Sequence, residues 1–200
     1  VFAVFSLFEF NQILPDYYLP KRLSSDTFWT AFYGNIFSPS RGLLIFSPFL
    51  FLFLLNIKDT FNILNDDKTL ILFLSWIILH LIVISKFPHW WAGWSYGPRF
   101  MTDVLPAIFL LFVIHISYSY REKSSAQKNI ISFFLILTFS IAVYFNFAQG
   151  LYNKYTSSWN SAPNIDKYPE YLFDWNYPQF FHNQDRHIKR IREHNFKINS

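Results

Sequence analysis

The chain contains no cysteine, which excludes disulfides and thiolate metal sites alike. Charge is also scarce. Only 15% of the 200 residues are Asp, Glu, Lys or Arg, where a soluble domain usually carries about a quarter. Hydrophobic residues make up 52% and aromatic residues 22%, so the deficit points away from a water-soluble globule. The opening VFAVFSLFEF lacks an initiator methionine, a basic n-region and a small-residue cleavage site, which argues against a signal peptide. The net charge of +4 is modest and comes with no nucleic-acid-binding signature.

What is present is a set of long apolar runs. KTLILFLSWIILHLIVISK (68–86) is closed by a lysine at each end, with His80 as its one ionisable interior residue. As a helix it spans roughly 28 Å, close to the hydrocarbon thickness of a bilayer. DVLPAIFLLFVIHISYSY (103–120) and NIISFFLILTFSIAVYFNFAQ (129–149) qualify as well, the former with Pro106 near its start, where a missing N–H is tolerated. GLLIFSPFLFLFLLNI (42–57) is shorter and carries Pro48, so it reads as a kinked fourth span. The expected class is an all-α membrane protein, a polytopic bundle of four complete transmembrane helices. Residues 1–10 read as the stump of a fifth, which makes the chain part of something longer. The expected organisation is an external loop over 11–41, the transmembrane region over 42–149 and an aromatic-rich external tail over 150–200.

Two short connections, 58–67 and 121–128, together with the boundary residue Lys68, hold Lys58, Lys68, Arg121, Lys123 and Lys128. The opposite face receives the long, proline-rich and aromatic segments. The positive-inside rule puts the short connections in the cytoplasm and the rest outside.

That outer face concentrates the unusual residues. HWWAGWSYGPRF (89–100) packs Trp90, Trp91, Trp94 and Tyr96 beside Arg99, in a stretch broken by Gly93 and Gly97. GNIFSPSRGLLIFSP (34–48) sets Arg41 between Pro39 and Gly42. Each arginine follows a proline-containing turn and precedes an apolar run. Both can snorkel to headgroups, or their planar, permanently charged guanidinium can clamp a lipid phosphate. The aromatic residues can form an interfacial belt, or line a groove for a sugar ring, whose apolar C–H faces suit rigid aromatic surfaces. The glycines would permit close backbone approach or positive φ.

The acids offer less. Asp66 and Asp67 read as helix N-caps, and Asp16 in ILPDYYLP as part of a turn. Asp26 and Glu9 have no distinctive neighbourhood. Asp103, four residues after Arg99, is a helix cap that can also pair with that arginine or contact an acceptor; it is the one candidate for a catalytic acid or base. His182, Asp185, His187 and His194 match no metal spacing, and their segment reads as a solvated basic helix or a frayed tail. Ser38 and Ser47 have no accompanying base, so a nucleophilic hydrolase finds no support.

FSPSRGLLIFSP, HWWAGWSYGPRFMTDVLP and NIDKYPEYLFDWNYPQF, in that order, resemble the C-terminal half of bacterial polytopic glycosyltransferases of the GT-C fold. These are relatives of the family 39, dolichyl-phosphate-mannose–protein mannosyltransferase-like enzymes. The resemblance implies a multi-pass enzyme of the bacterial inner membrane, taking sugar from a polyprenyl-phosphate donor and transferring it on the periplasmic side to a glycan, lipid or protein acceptor. It also implies a catalytic base in an external loop preceding Val1, and it names no cofactor or metal. On this reading Arg41 and Arg99 hold the donor phosphate, and Trp90, Trp91, Trp94 and Tyr96 line the sugar or lipid groove. The alternative is a non-catalytic transporter, flippase or scaffold for lipid-linked saccharides.

Overall fold

The computed structural model describes residues 2–11, 26–54, 57–121 and 123–199. The expected turn at Asp16 lies outside them, as does the side chain of Asp66. The helices run in the order α1 (Phe2–Phe10), α2 (Phe28–Phe37), α3 (Leu43–Phe46), α4 (Ile57–Asp66), α5 (Lys68–Ser85), α6 (Leu105–Arg121), α7 (Ser125–Val143), α8 (Tyr155–Ser158) and α9 (Gln184–Asn199). The described residues form no strand; a lone bridge joins Ser161 and Asn164.

Among the described residues, three helical stretches are long and apolar enough to cross a membrane: Lys68–Ser85, Arg99–Arg121 and Ser125–Tyr152. Each starts where its sequence provides a start. Asp67 caps α5 by accepting from the Thr69 N–H at 2.8 Å. A 3-10 helix, Arg99–Val104, leads into α6, whose second residue is Pro106. Ser124 and Gln127 form a reciprocal capping box on α7. Their outward side chains, such as Leu72, Leu110 and Ile136, are exposed and apolar, as a lipid-facing surface requires.

The fourth expected span is not one continuous helix. Pro48 has no N–H to give Leu44, and its ring crowds that carbonyl. The α3 ladder therefore ends with Ser47 N–H on the Leu43 carbonyl, and the chain continues as the 3-10 helix Pro48–Leu54. This broken segment wedges into the bundle. Phe49 stacks on Phe139 at 4.7 Å and meets the edge of Phe112 at 4.9 Å, and Leu50, Leu52, Val104 and Ile108 complete the core. Asn146, in the π-helical continuation of α7 (Tyr144–Tyr152), donates to the Phe46 carbonyl at 2.8 Å, beside the break. Two stretches read as connections also contain helix. In 11–41, α2 docks on α5, and in 58–67, α4 packs on α5 and α6, with Ile63 buried.

Under the topology read from charge, α4 ends in the cytoplasm and residue 161 lies outside. In this cysteine-free background, a cysteine replacing the exposed Ser161 should react with an impermeant thiol reagent on intact cells. One replacing the exposed Asn65 should react only after permeabilisation. The opposite pattern would invert the topology.

Beyond Tyr152 the chain folds back as a small cap. Trp159, Ile165 and Leu172 are fully buried and pack with Ala31, Trp90 and Trp91. The terminal helix is thus neither frayed nor uniformly solvated. Arg190 of α9 is 1% exposed and lies against the ring of Trp159 at 4.2 Å and that of Tyr171 at 5.1 Å. His182 is fully buried, with Nε2 3.0 Å from His187 Nδ1 and its own Nδ1 without a partner among the described residues. Burial, reinforced by Arg190 and His187, pulls the His182 pKa down to about 3. Unfolded, this histidine would take up a proton near its ordinary 6.5 that the folded cap refuses. Cap stability should therefore fall progressively as pH drops from 6.5 toward about 3. Thermal melts across that window should show the loss in wild type and a shallower one in His182→Gln.

A groove headed by Arg99

Arg99 opens the 3-10 helix that leads into α6, immediately after a turn in which Gly97 takes φ +63°. The turn carries the chain from the cap into the span, so Arg99 stands at the boundary between the two. Its side chain is exposed, and among the described residues its guanidinium has no hydrogen-bond or ion-pair partner. It borders a cavity of about 580 Å³ between α3, the start of α6 and α7. Phe46, Met101, Leu105, Phe109 and Phe139 make the cavity predominantly apolar, while Ser47, Thr102 and Asn146 add a few polar groups. An apolar slot with a free cation at its head can hold a molecule with a long hydrocarbon part and an anionic group. Asp103, one turn further on, is exposed; no ion pair joins it to Arg99, and it does not line the cavity.

Arg41 has a different fate, although the sequence presents it in the same way. It is 1% exposed, and its five N–H groups all go to protein acceptors. Nε donates to the Trp91 carbonyl at 2.8 Å. Nη1 donates to the Ser40 carbonyl at 2.8 Å and to Gln179 Oε1 at 2.6 Å. Nη2 donates to Asn160 Oδ1 at 2.8 Å and to the Gly93 carbonyl at 3.2 Å. Burial pulls its pKa down to about 9, with Asp166 opposing the shift. A planar fork matches this fivefold set, and no donor remains for an external phosphate. Arg41 ties together the turn after α2, the tryptophan loop and the tail. Ser38 and Ser40 add to that joint, both hydroxyls donating to the Leu172 carbonyl.

The aromatic residues also divide. Trp90 is buried against α2, so closely that a Cβ on Gly34 would lie 2.1 Å from its ring. Trp91 is buried, with its indole N–H on Asp166 Oδ1 at 2.9 Å. Trp94 is 55% exposed, and its indole N–H reaches Asp166 Oδ2 at 3.0 Å. One carboxylate therefore orients two indoles, and of the three only Trp94 presents a broad face outward. Tyr96 borders the Arg99 cavity, but its hydroxyl donates to the Phe145 carbonyl at 2.6 Å, and burial raises its pKa. Gly93 has φ +64° with open space where a Cβ would stand, so conformation and not close packing explains it.

The sequence reading missed Asp166, Asn160 and Gln179. Their partners lie 75, 119 and 138 residues away, so no local spacing signals them. The motif NIDKYPEY contains Asp166 but gives no sign that tryptophans are its target. No protein-family model, curated protein or solved structure matches the chain.

Proposed function

We propose that this chain is part of a membrane glycosyltransferase of the GT-C type that uses a polyprenyl-phosphate-linked sugar, with the isoprenoid in the apolar groove and the phosphate on Arg99. One observation carries the reading: the Arg99 guanidinium, without a partner among the described residues, heads a predominantly apolar cavity of about 580 Å³ at the edge of the spanning helices. An apolar slot favours the hydrocarbon chain. A guanidinium with all donors free suits a phosphate whose negative charge grows as the anomeric bond breaks. Trp94, oriented by Asp166, is the exposed ring that the tryptophan loop offers to a sugar. Asp103 is the acid this chain can bring to an acceptor hydroxyl from the same external turn. The expected place of action is the outer face of a bacterial inner membrane.

A second reading also has an observation behind it. No carboxylate is among the described residues lining the groove, which suits a carrier or scaffold that binds a lipid-linked saccharide without cleaving it. The two separate in one assay. Membranes containing the protein are given polyprenyl phosphate bearing a radiolabelled sugar, and the label is followed between the lipid and the aqueous or protein fraction. Protein-dependent movement of label off the lipid supports the transferase. Saturable binding with all label still on the lipid supports the carrier.

A further inference from the structure

The cap carries a second hollow, which shares no residue with the Arg99 groove. It opens between the 3-10 helix Pro169–Phe173 and α9 and holds about 250 Å³. A neighbouring hollow of about 390 Å³ shares Asn176, Tyr177 and Glu193 with it. Together they reach the size usual for a small-molecule site, roughly 300–1,000 Å³.

Arg190 forms part of the inner wall. Trp159 and Tyr171 face its guanidinium, and Nη1 is spent on the carbonyls of Trp159 at 2.7 Å and Ala162 at 3.5 Å. Nε and Nη2 have no acceptor among the described residues. A buried cation with unsatisfied donors is unfavourable; neither atom is exposed, so an occupant satisfies the Nε–Nη2 edge only by displacing the side chains that cover it. Glu170, Asp174, Glu193 and Lys197 line the same hollow, and Arg186 and Lys189 line its neighbour. This mixture of signs disfavours a polyanion or a polycation. Nor do the described carboxylates converge as metal ligands would. Separated carboxylates that accept, an amide that does both, a guanidinium that donates and tyrosine rings with apolar faces are together the chemistry that recognises a neutral ring bearing several hydroxyls.

We propose that this hollow on the cap, walled by Arg190, Asp174, Tyr177 and Glu193, binds a neutral saccharide. The site needs neither the Arg99 groove nor a lipid, so its success or failure is read separately from theirs. The test titrates the protein in nanodiscs with maltose, mannobiose and chitobiose by calorimetry, with inorganic phosphate and trilysine as charged comparisons. At least one disaccharide should bind saturably, and the Asp174→Asn, Glu193→Gln double variant should bind it about tenfold more weakly. If that variant melts early, Glu170→Gln on the exposed rim provides the weakened binder. Absence of saturable binding by all three sugars would overturn the proposal. So would binding of phosphate or trilysine in their place, or affinity undiminished in a folded variant.

Discussion

An Arg41→Lys protein should insert into the membrane and keep its spanning helices but lose the cap. Lysine retains the charge but replaces a five-donor planar fork with a point ammonium of three donors. The acceptors Arg41 serves come from three separate stretches: the Ser40 carbonyl after α2, the Trp91 and Gly93 carbonyls of the tryptophan loop, and Asn160 and Gln179 of the tail. A single ammonium cannot span them, and each buried acceptor left without a donor costs about 1–3 kcal/mol. Two such acceptors suffice for a loss of roughly 3 kcal/mol, a large share of a small unit's stability. Limited proteolysis reads this directly. Cleavage should appear within residues 150–183 of the variant and be absent from wild type under the same conditions, while circular dichroism shows the spanning helices intact. A lysine variant as resistant as wild type would show that the buried network does not hold the cap.

Arg99 should behave in the opposite way. Its guanidinium contacts nothing that the described fold depends on, so Arg99→Ala should melt with wild type. If it stabilises a departing lipid phosphate, turnover should fall on the order of a hundredfold or more. Arg99→Lys should recover only part of that loss, because the charge returns without the bidentate geometry. Normal turnover in a well-folded alanine variant would reduce Arg99 to a headgroup anchor. The two arginines thus make opposite pairs of predictions, stability without direct chemistry for Arg41 and chemistry without stability for Arg99.

That division could not be read from the sequence, where both residues follow a proline turn and precede an apolar run. What separates them is distance along the chain. Arg41 finds partners 50, 119 and 138 residues away, whereas the Arg99 side chain meets none among the described residues. Long apolar runs are local signals, and α5, α6 and α7 were legible from them. The run over 42–57 has the same composition, yet Pro48 turns it into a short helix and a 3-10 segment wedged into the core. Composition registers the need for burial but not whether lipid or protein provides it. In the tryptophan loop, Gly93 and Gly97 read as places for close backbone approach or positive φ, and both take positive φ. Ala92, also at φ 60°, was not, since alanine carries no such signal. The cap was the least legible part. Its aromatic tail looked like surface, and only the tertiary contacts of Trp159, Leu172 and Arg190 make it an interior.

The central claim, that the Arg99 groove holds a lipid phosphate, is tested most directly by photocrosslinking in membranes. A polyprenyl phosphate with a photoreactive group on its isoprenoid chain is irradiated with the protein, and the labelled residues are identified by mass spectrometry. The groove residues Leu105, Phe109 and Phe139 should take the label. Unlabelled polyprenyl phosphate should compete it away, and Arg99→Ala should abolish it. Label spread over outward residues such as Leu72 and Phe133, neither competed nor changed by Arg99→Ala, would contradict the account.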